Sequence, residues 1–143
     1  MKQMILAGAL ALAAGSAPAQ EMITYTTDDS FGDVSFALEN AIIGKGLVVD
    51  HVSHVGEMLE RTRVDVGSDV FLYKEADVFS FCSATVSRQV MEADPMNIVF
   101  CPYDIFIAEM ADNPGEVIVG YRSFPEGPMQ EVQKMLDEIV KEA

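Results

Sequence analysis

A chain of 143 residues with 9 Lys and Arg against 23 Asp and Glu is strongly acidic, with a formal net charge of −14 at pH 7. This balance argues against a nucleic-acid partner, because such binding requires a basic footprint, and an anionic membrane surface would also repel the chain. The acidic residues are spread along the sequence, which favours a solvated surface. A cationic partner or a metal is the alternative interpretation of the charge.

The first residues predict a secretory signal peptide. Lys2 supplies a short charged start, residues 4–15 are small and apolar, and Ala17 and Ala19 form an A-x-A cleavage site. The apolar run is too short for a membrane span, which needs ~20 apolar residues. We therefore expect a signal peptide over 1–19, a single mature domain over 20–143 without a stable membrane anchor, and a periplasmic or secreted location in a bacterium.

The mature chain begins with a predicted strand and helix. Alternation in residues 22–27 predicts a strand with one solvated face. Ser30 and Asp33 form the start of a capping box, and Gly44 and Gly46 end the helix that follows. The apolar positions of this helix recur at helical spacing and comprise Phe31, Val34, Leu38, Ala41 and Ile42.

The middle of the chain alternates short strands with less regular segments. Residues 47–55 are rich in β-branched side chains and predict a second strand, followed by a linker with one helical turn at 56–61. A third strand is predicted within 70–82, from residue 76 onward. Residues 85–93 predict a short helix that the Asp94-Pro95 pair breaks, because proline pushes the preceding residue out of the α region.

The last third predicts a hairpin and a helix. Residues 97–110 and 115–124 are two further strands, joined by a turn at 112–115 (D-N-P-G). Gly127 and Pro128 then open a helix whose apolar face comprises Met129, Val132, Leu136, Ile139 and Val140.

This order of elements predicts an α+β fold. Consecutive strands lack the regular crossover helices of a doubly wound parallel sheet. A mostly antiparallel sheet with two main helices on one face, and a short extra helix inserted between strands, fits the order better.

No established catalytic motif is present: the sequence lacks G-x-G-x-x-G, a P-loop, H-E-x-x-H, G-x-S-x-G and C-x-x-C. His51 and His54 are three residues apart, so on a regular strand they would face opposite sides and would not share a metal. The methionines of the mature chain fall mostly at positions that a helix or strand would bury, which favours core filling. Enzymatic activity is therefore the less favoured hypothesis.

The segment from Cys82 to Glu109 resembles the domain-of-unknown-function family 302. The family pattern C-N-P-x-L-A-x-x-A-L-x-A-D-P is matched at Cys82, at Val86 and over residues 91–95, and Pro102 and Glu109 match its later proline and closing acid. A weaker likeness extends over the rest of the mature chain.

The family resemblance implies an α+β domain similar to the helix-grip arrangement of TATA-binding-protein halves. It implies no reaction, because no biochemical activity is established for the family. This sequence departs from the pattern at Ser83 and Ala84, which replace N-P. It also has Tyr103 at the family's second cysteine, while its own Cys101 lies two residues earlier.

The two cysteines, Cys82 and Cys101, leave three interpretations open. In an exported protein they could form a disulfide, remain as two buried thiols, or serve a metal or redox role. The candidate ligand or redox residues are Cys82, Cys101, Tyr103, Arg88 and Asp104. Copper or another soft metal is a minority hypothesis, with Cys82, Cys101, Met91 and His54 as weak candidate ligands.

Two classes of function remain. The first hypothesis is a non-enzymatic exported binding module for a small ligand or a partner protein, with a homodimer left open. The alternative is a thiol- or metal-dependent redox or metal-handling protein that uses Cys82 and Cys101. The sequence favours the first, because it shows no acid–base constellation.

Overall fold

A computed structural model describes residues 21–143, so the predicted signal peptide and its cleavage site lie outside the described residues. The strands are β1 (Met22–Thr27), β2 (Val48–Ser53), β3 (Tyr73–Cys82), β4 (Tyr103–Met110) and β5 (Val117–Arg122). The helices are α1 (Phe31–Gly44), α2 (Val55–Thr62), α3 (Ala84–Ala93) and α4 (Gln130–Glu142), with a 3₁₀ segment at Pro95–Phe100.

The five strands form one sheet in the order β1-β5-β4-β3-β2, and every neighbouring pair is antiparallel. The predicted hairpin is present, because β4 and β5 pair from Phe106 opposite Gly120 to Glu109 opposite Val117. The predicted α+β architecture with a mostly antiparallel sheet is thus confirmed.

One face of the sheet carries the core together with α1 and α4. The predicted apolar faces of both helices are buried as expected, and Leu38, Ile42, Leu136 and Ile139 are fully buried. Alternate strand residues meet them, so the core is a single cluster. The large, fully buried strand residues are Phe79, Phe81, Tyr103, Ile105, Ile107, Val117 and Tyr121.

The opposite face of the sheet, here called the open face, carries the intervening strand residues. Val78, Phe106 and Ile118 are only half-buried and lie outside the core cluster. None of the helices formed by residues 21–143 is long and apolar enough to cross a membrane.

The helix caps follow the sequence closely. Ser30 Oγ accepts the Asp33 N–H at 3.2 Å and donates to the Asp33 carboxylate at 2.7 Å. Gly46, just beyond α1, has a φ of 76°, a conformation that glycine adopts without a steric cost.

Three predicted boundaries were wrong. Residues 55–62 form a two-turn helix rather than a single turn, and Gly56 allows this helix to approach β3 closely, since a Cβ there would lie 2.7 Å from the Ala76 nitrogen. β3 begins at Tyr73 rather than 76. The strand predicted from residue 97 begins at Tyr103, because Asp94 accepts the Met96 N–H at 2.9 Å and starts a 3₁₀ turn over 95–100.

A polar cluster fastens α4 to the sheet. Asp137 Oδ1 accepts hydrogen bonds from the hydroxyls of Tyr25 at 2.6 Å and Tyr121 at 2.9 Å, and Lys141 donates to Asp137 Oδ2 at 2.5 Å. Burial and the Asp137 carboxylate raise the pKa of Tyr121. The hydroxyls therefore remain protonated donors at neutral pH, and the cluster joins β1, β5 and α4.

A buried carboxylate closes the β4–β5 hairpin. Glu109 is 4% exposed, and its Oε1 accepts from Lys74 Nζ and from the Gly115 N–H, both at 2.8 Å. These two donors hold the pKa of Glu109 below its ordinary value, the Lys74 bond being the larger cause. The same pair raises the pKa of Lys74.

This arrangement predicts an acid-sensitive contribution to stability. A carboxylate with a lowered folded-state pKa stabilises the fold above its ordinary value of 4.5 and loses that effect as the pH falls through the folded-state pKa. Glu109→Gln should therefore lower the melting temperature near neutral pH, and the difference from the wild type should shrink toward about pH 3. Glu39→Gln, at an exposed position, is the control. An equal difference at both pH values would contradict this account.

Candidate functional site

The two cysteines meet where the α3 connection leaves and rejoins the sheet. Cys82 is the last residue of β3, and Cys101 lies two residues before β4. Phe81 and Tyr103 form the last pair across these strands, which places Cys82 one residue and Cys101 two residues beyond the end of the ladder. Their Sγ atoms are 2.8 Å apart, and both side chains are half-buried as free thiols.

Neighbouring side chains fix the backbone on both sides of the pair. Ser83 caps α3, its Oγ accepting the Val86 N–H at 3.2 Å. Tyr103 is 1% exposed, and its hydroxyl lies 3.0 Å from Ser87 Oγ. Burial is the largest cause of a raised pKa for Tyr103. Tyr103 thus occupies the core as a neutral phenol hydrogen-bonded to α3.

The environment of Cys82 disfavours its thiolate. Burial, the contact with Cys101 and the nearby carboxylate of Asp50 raise the pKa of Cys82 to about 12, against a smaller opposing effect of the Tyr103 backbone. The thiolate is the nucleophilic form of cysteine. At neutral pH Cys82 is therefore protonated and a poor nucleophile.

The weak metal candidates do not assemble around the cysteines. His54 follows the far end of β2 and its Nδ1 lies 2.8 Å from Asp77, whereas Cys82 pairs with Val48 at the other end of that strand. Met91 packs against the core. Within residues 21–143 no group of three or more His, Cys, Asp or Glu side chains could hold a metal ion.

The remaining sequence candidates point elsewhere. Arg88 is exposed on α3 and pairs with Glu92 at 2.5 Å. Asp104 lies beyond Tyr103 on the opposite side of β4, on the open face, and accepts the Ser80 hydroxyl at 2.5 Å. The structure thus groups Cys82, Cys101 and Tyr103, and separates both Arg88 and Asp104 from them.

Asp104 instead lines a groove on the open face. The β4–β5 ladder ends at Phe106 opposite Gly120, and Asp104 and Arg122 are the next residues of the two strands on this face. Both residues line a cavity of about 430 Å³, together with Phe106, Met22, Val78 and Glu21. The groove therefore has an apolar floor and charged groups of both signs.

The two opposite charges in the groove do not pair with each other. Arg122 is exposed and makes no ion pair with any described residue, while Asp104 is hydrogen-bonded to Ser80. The Phe106 ring packs over Gly120, which has no side chain to obstruct it: a Cβ on Gly120 would lie 2.8 Å from the ring. The ring thus lies directly over this backbone.

Sequence reasoning missed Arg122, Phe106 and Gly120. A glycine inside a strand often marks close approach by another group, and Gly120 within the predicted strand 115–124 was such a mark. The pairing of Phe106 with Gly120 depends on hairpin register, which the sequence pattern alone did not supply.

Comparisons with known proteins place this chain in a family. The model of Domain of unknown function DUF302 matches residues 23–143. The chain is also similar to the crystal structure of an uncharacterized conserved DUF302 protein from Bacillus stearothermophilus, with 18% identity, a TM-score of 0.58, and coverage of 85% of this chain and 84% of that one. No curated protein matches. The family model covers most of the chain, so this protein belongs to the Domain of unknown function DUF302 family.

Proposed function

We propose that this protein is an exported, non-enzymatic binding domain whose ligand site is the groove on the open face. The proposed ligand is a small zwitterion with an apolar or aromatic body, such as an apolar amino acid or a short peptide. The observation that carries this proposal is the pair of opposite, mutually unpaired charges, Asp104 and Arg122, which lie on neighbouring strands at the same end of the Phe106 floor.

The charges of the groove determine the orientation of such a ligand. The guanidinium of Arg122 matches a carboxylate in geometry and charge, and Asp104 and Glu21 offer oxygen acceptors to an ammonium group. The volume of about 430 Å³ falls within the range of roughly 300–1,000 Å³ that is typical of small-molecule sites. A purely anionic ligand would meet the two carboxylates, so the zwitterion is favoured.

The apolar floor provides the rest of the affinity. Phe106 and Val78 are neighbours across β3 and β4 and are half-buried, so a ligand side chain would cover apolar surface that the sheet leaves accessible. Burial of such surface contributes roughly 25 cal/mol per Å² before the cost of association. The alternative of thiol catalysis is less well supported, because Cys82 is protonated at neutral pH.

Calorimetric titration of the protein with phenylalanine and with the dipeptide Gly-Phe tests the proposal. We expect one of these zwitterions to bind, and both N-acetyl-phenylalanine and phenylalaninamide, which each lack one charge, to bind more weakly. Arg122→Ala should weaken binding of the zwitterion about tenfold or more, because a hydrogen bond to a charged group contributes about 1.5–3 kcal/mol.

Arg61→Ala is the matched control, because Arg61 is also exposed and makes no ion pair with any described residue, and it lines a different cavity beside α2. Binding should be unchanged in this variant. Loss of binding in Arg61→Ala but not in Arg122→Ala would move the site to the α2 cavity. Equal binding of the zwitterion and its two blocked analogues would also refute the proposed recognition.

A further inference from the structure

We infer that Cys82 and Cys101 form a structural disulfide in the exported protein. Their Sγ atoms are 2.8 Å apart, so small side-chain movements bring them to the bonded distance of about 2.0 Å. The sulfurs lie at the two ends of the connection that contains α3 and the 3₁₀ segment. The cross-link would close that connection at its base.

The connection is held on the domain mainly by partly buried side chains, because Val86, Met91 and Phe100 pack against the core without being fully buried. Val90 is the only residue of α3 among the fully buried core side chains, and the 3₁₀ segment has no buried residue. Instead, Met96, Ile98 and Val99 are 71%, 61% and 71% exposed. A covalent bond at the base therefore restricts a segment that is only partly covered by apolar burial.

The reaction is a two-electron oxidation of the dithiol. Both S–H bonds break and one S–S bond forms, and two electrons and two protons pass to a protein disulfide of the exporting compartment, which becomes a dithiol. Such oxidants keep exported proteins oxidised. The exchange proceeds through a mixed disulfide between one of the two cysteines and the oxidant.

The environment of Cys82 favours a bond that persists once it has formed. A thiol of high pKa is a poor leaving group in thiol–disulfide exchange, and burial raises the pKa of Cys82. A disulfide here would be reduced slowly, as in structural bridges, and would oxidise other proteins poorly. This property distinguishes the proposed bond from the catalytic disulfide of an oxidoreductase, whose reactive cysteine has a lowered pKa.

The test is the mass of the protein exported from a bacterium with its own leader, alkylated under denaturing conditions with and without prior reduction. Without reductant we expect no alkylated cysteine and a mass lower by two hydrogen atoms than that of the dithiol, and with reductant two alkylated cysteines. The same mass reports whether the chain begins after Ala19.

The melting temperature provides the second measurement. The cysteines are 19 positions apart in sequence, and a bridge across a loop of this size should raise the melting temperature by roughly 5–15 °C. Reductant should remove this increment from the wild type and leave Cys82→Ser and Cys101→Ser unchanged. If a serine variant does not fold, the disulfide is still tested by the mass of the exported protein and by the effect of reductant on the melting temperature of the wild type.

Two outcomes would overturn the inference. One is complete alkylation of both cysteines in freshly exported, unreduced protein. The other is protection that a chelator removes together with release of bound copper or zinc, which would assign the pair to a metal. The inference rests on the proposed export, but both results are independent of ligand binding at the groove, so the disulfide and the proposed ligand site can fail separately.

Discussion

Replacing Leu136 by Ala should lower the free energy of unfolding by about 2–5 kcal/mol. Leu136 is fully buried at the centre of the α4 face that packs on the sheet. The truncation removes apolar contacts and leaves a cavity between a helix and strands that are held by their own hydrogen bonds and can collapse only partly. Urea denaturation followed by circular dichroism measures the change.

Two further variants of α4 make this result specific. Lys134→Ala, at an exposed position on the same helix, should change the stability by less than about 0.5 kcal/mol. Leu136→Asp should destabilise more than the Ala variant, because it places a carboxylate in an apolar core. An unchanged urea midpoint for Leu136→Asp would mean that α4 does not dock on the sheet.

The parts of the fold that local chemistry determines were predictable from the sequence. Ser30 and Asp33 are close in the chain, and their capping contacts form as expected. The apolar stripe of α4 needs only helical periodicity, and the turn at 112–115 joins two adjacent strands. In each case the residues that decide the structure lie within a few positions of one another.

The errors arose where a distant contact or a competing local bond decided the structure. α2 is longer than expected because Gly56 lets it pack on β3, some twenty positions away, and the sequence around 56–62 carries no sign of that contact. The branched side chains of residues 97–100 suggested a strand, but the Asp94–Met96 bond and Pro95 start a 3₁₀ turn first.

The candidate sites were likewise predictable only in part. The sequence indicated that Cys82 and Cys101 could pair but left the question open. Their pairing depends on whether the connection between them returns the chain beside β3, and the sequence did not determine the path of that connection. The groove was missed, because Asp104 and Arg122 belong to different strands and face each other only through the register of Phe106 and Gly120. Asp104 alone was a candidate, without the partner that suggests a zwitterionic ligand.

The centre of the open face depends on the absence of a side chain at Gly120. A Cβ there would lie 2.7 Å from the Ile23 carbonyl oxygen and 2.8 Å from two carbons of the Phe106 ring. The ring can rotate away, but the carbonyl belongs to β1, which is hydrogen-bonded to β5 over six residue pairs. The conflict with the backbone must therefore be relieved by movement of a strand.

Gly120→Ala should accordingly destabilise the fold by ~1–3 kcal/mol, the usual cost of overpacking, and weaken zwitterion binding by displacing Phe106. Gly32→Ala is the matched control, because a Cβ on Gly32 has no neighbour within 4 Å and alanine favours the helix by roughly 0.5–1 kcal/mol. In a Phe106→Ala background, Gly120→Ala should cost less but still be destabilising, since the Ile23 contact remains. Denaturation of Gly120→Ala, Gly32→Ala, Phe106→Ala and the Phe106→Ala/Gly120→Ala double variant separates the cost of the Ile23 contact from that of the Phe106 contact. A Gly120→Ala protein as stable as the wild type would show that β1 and Phe106 are not held as described.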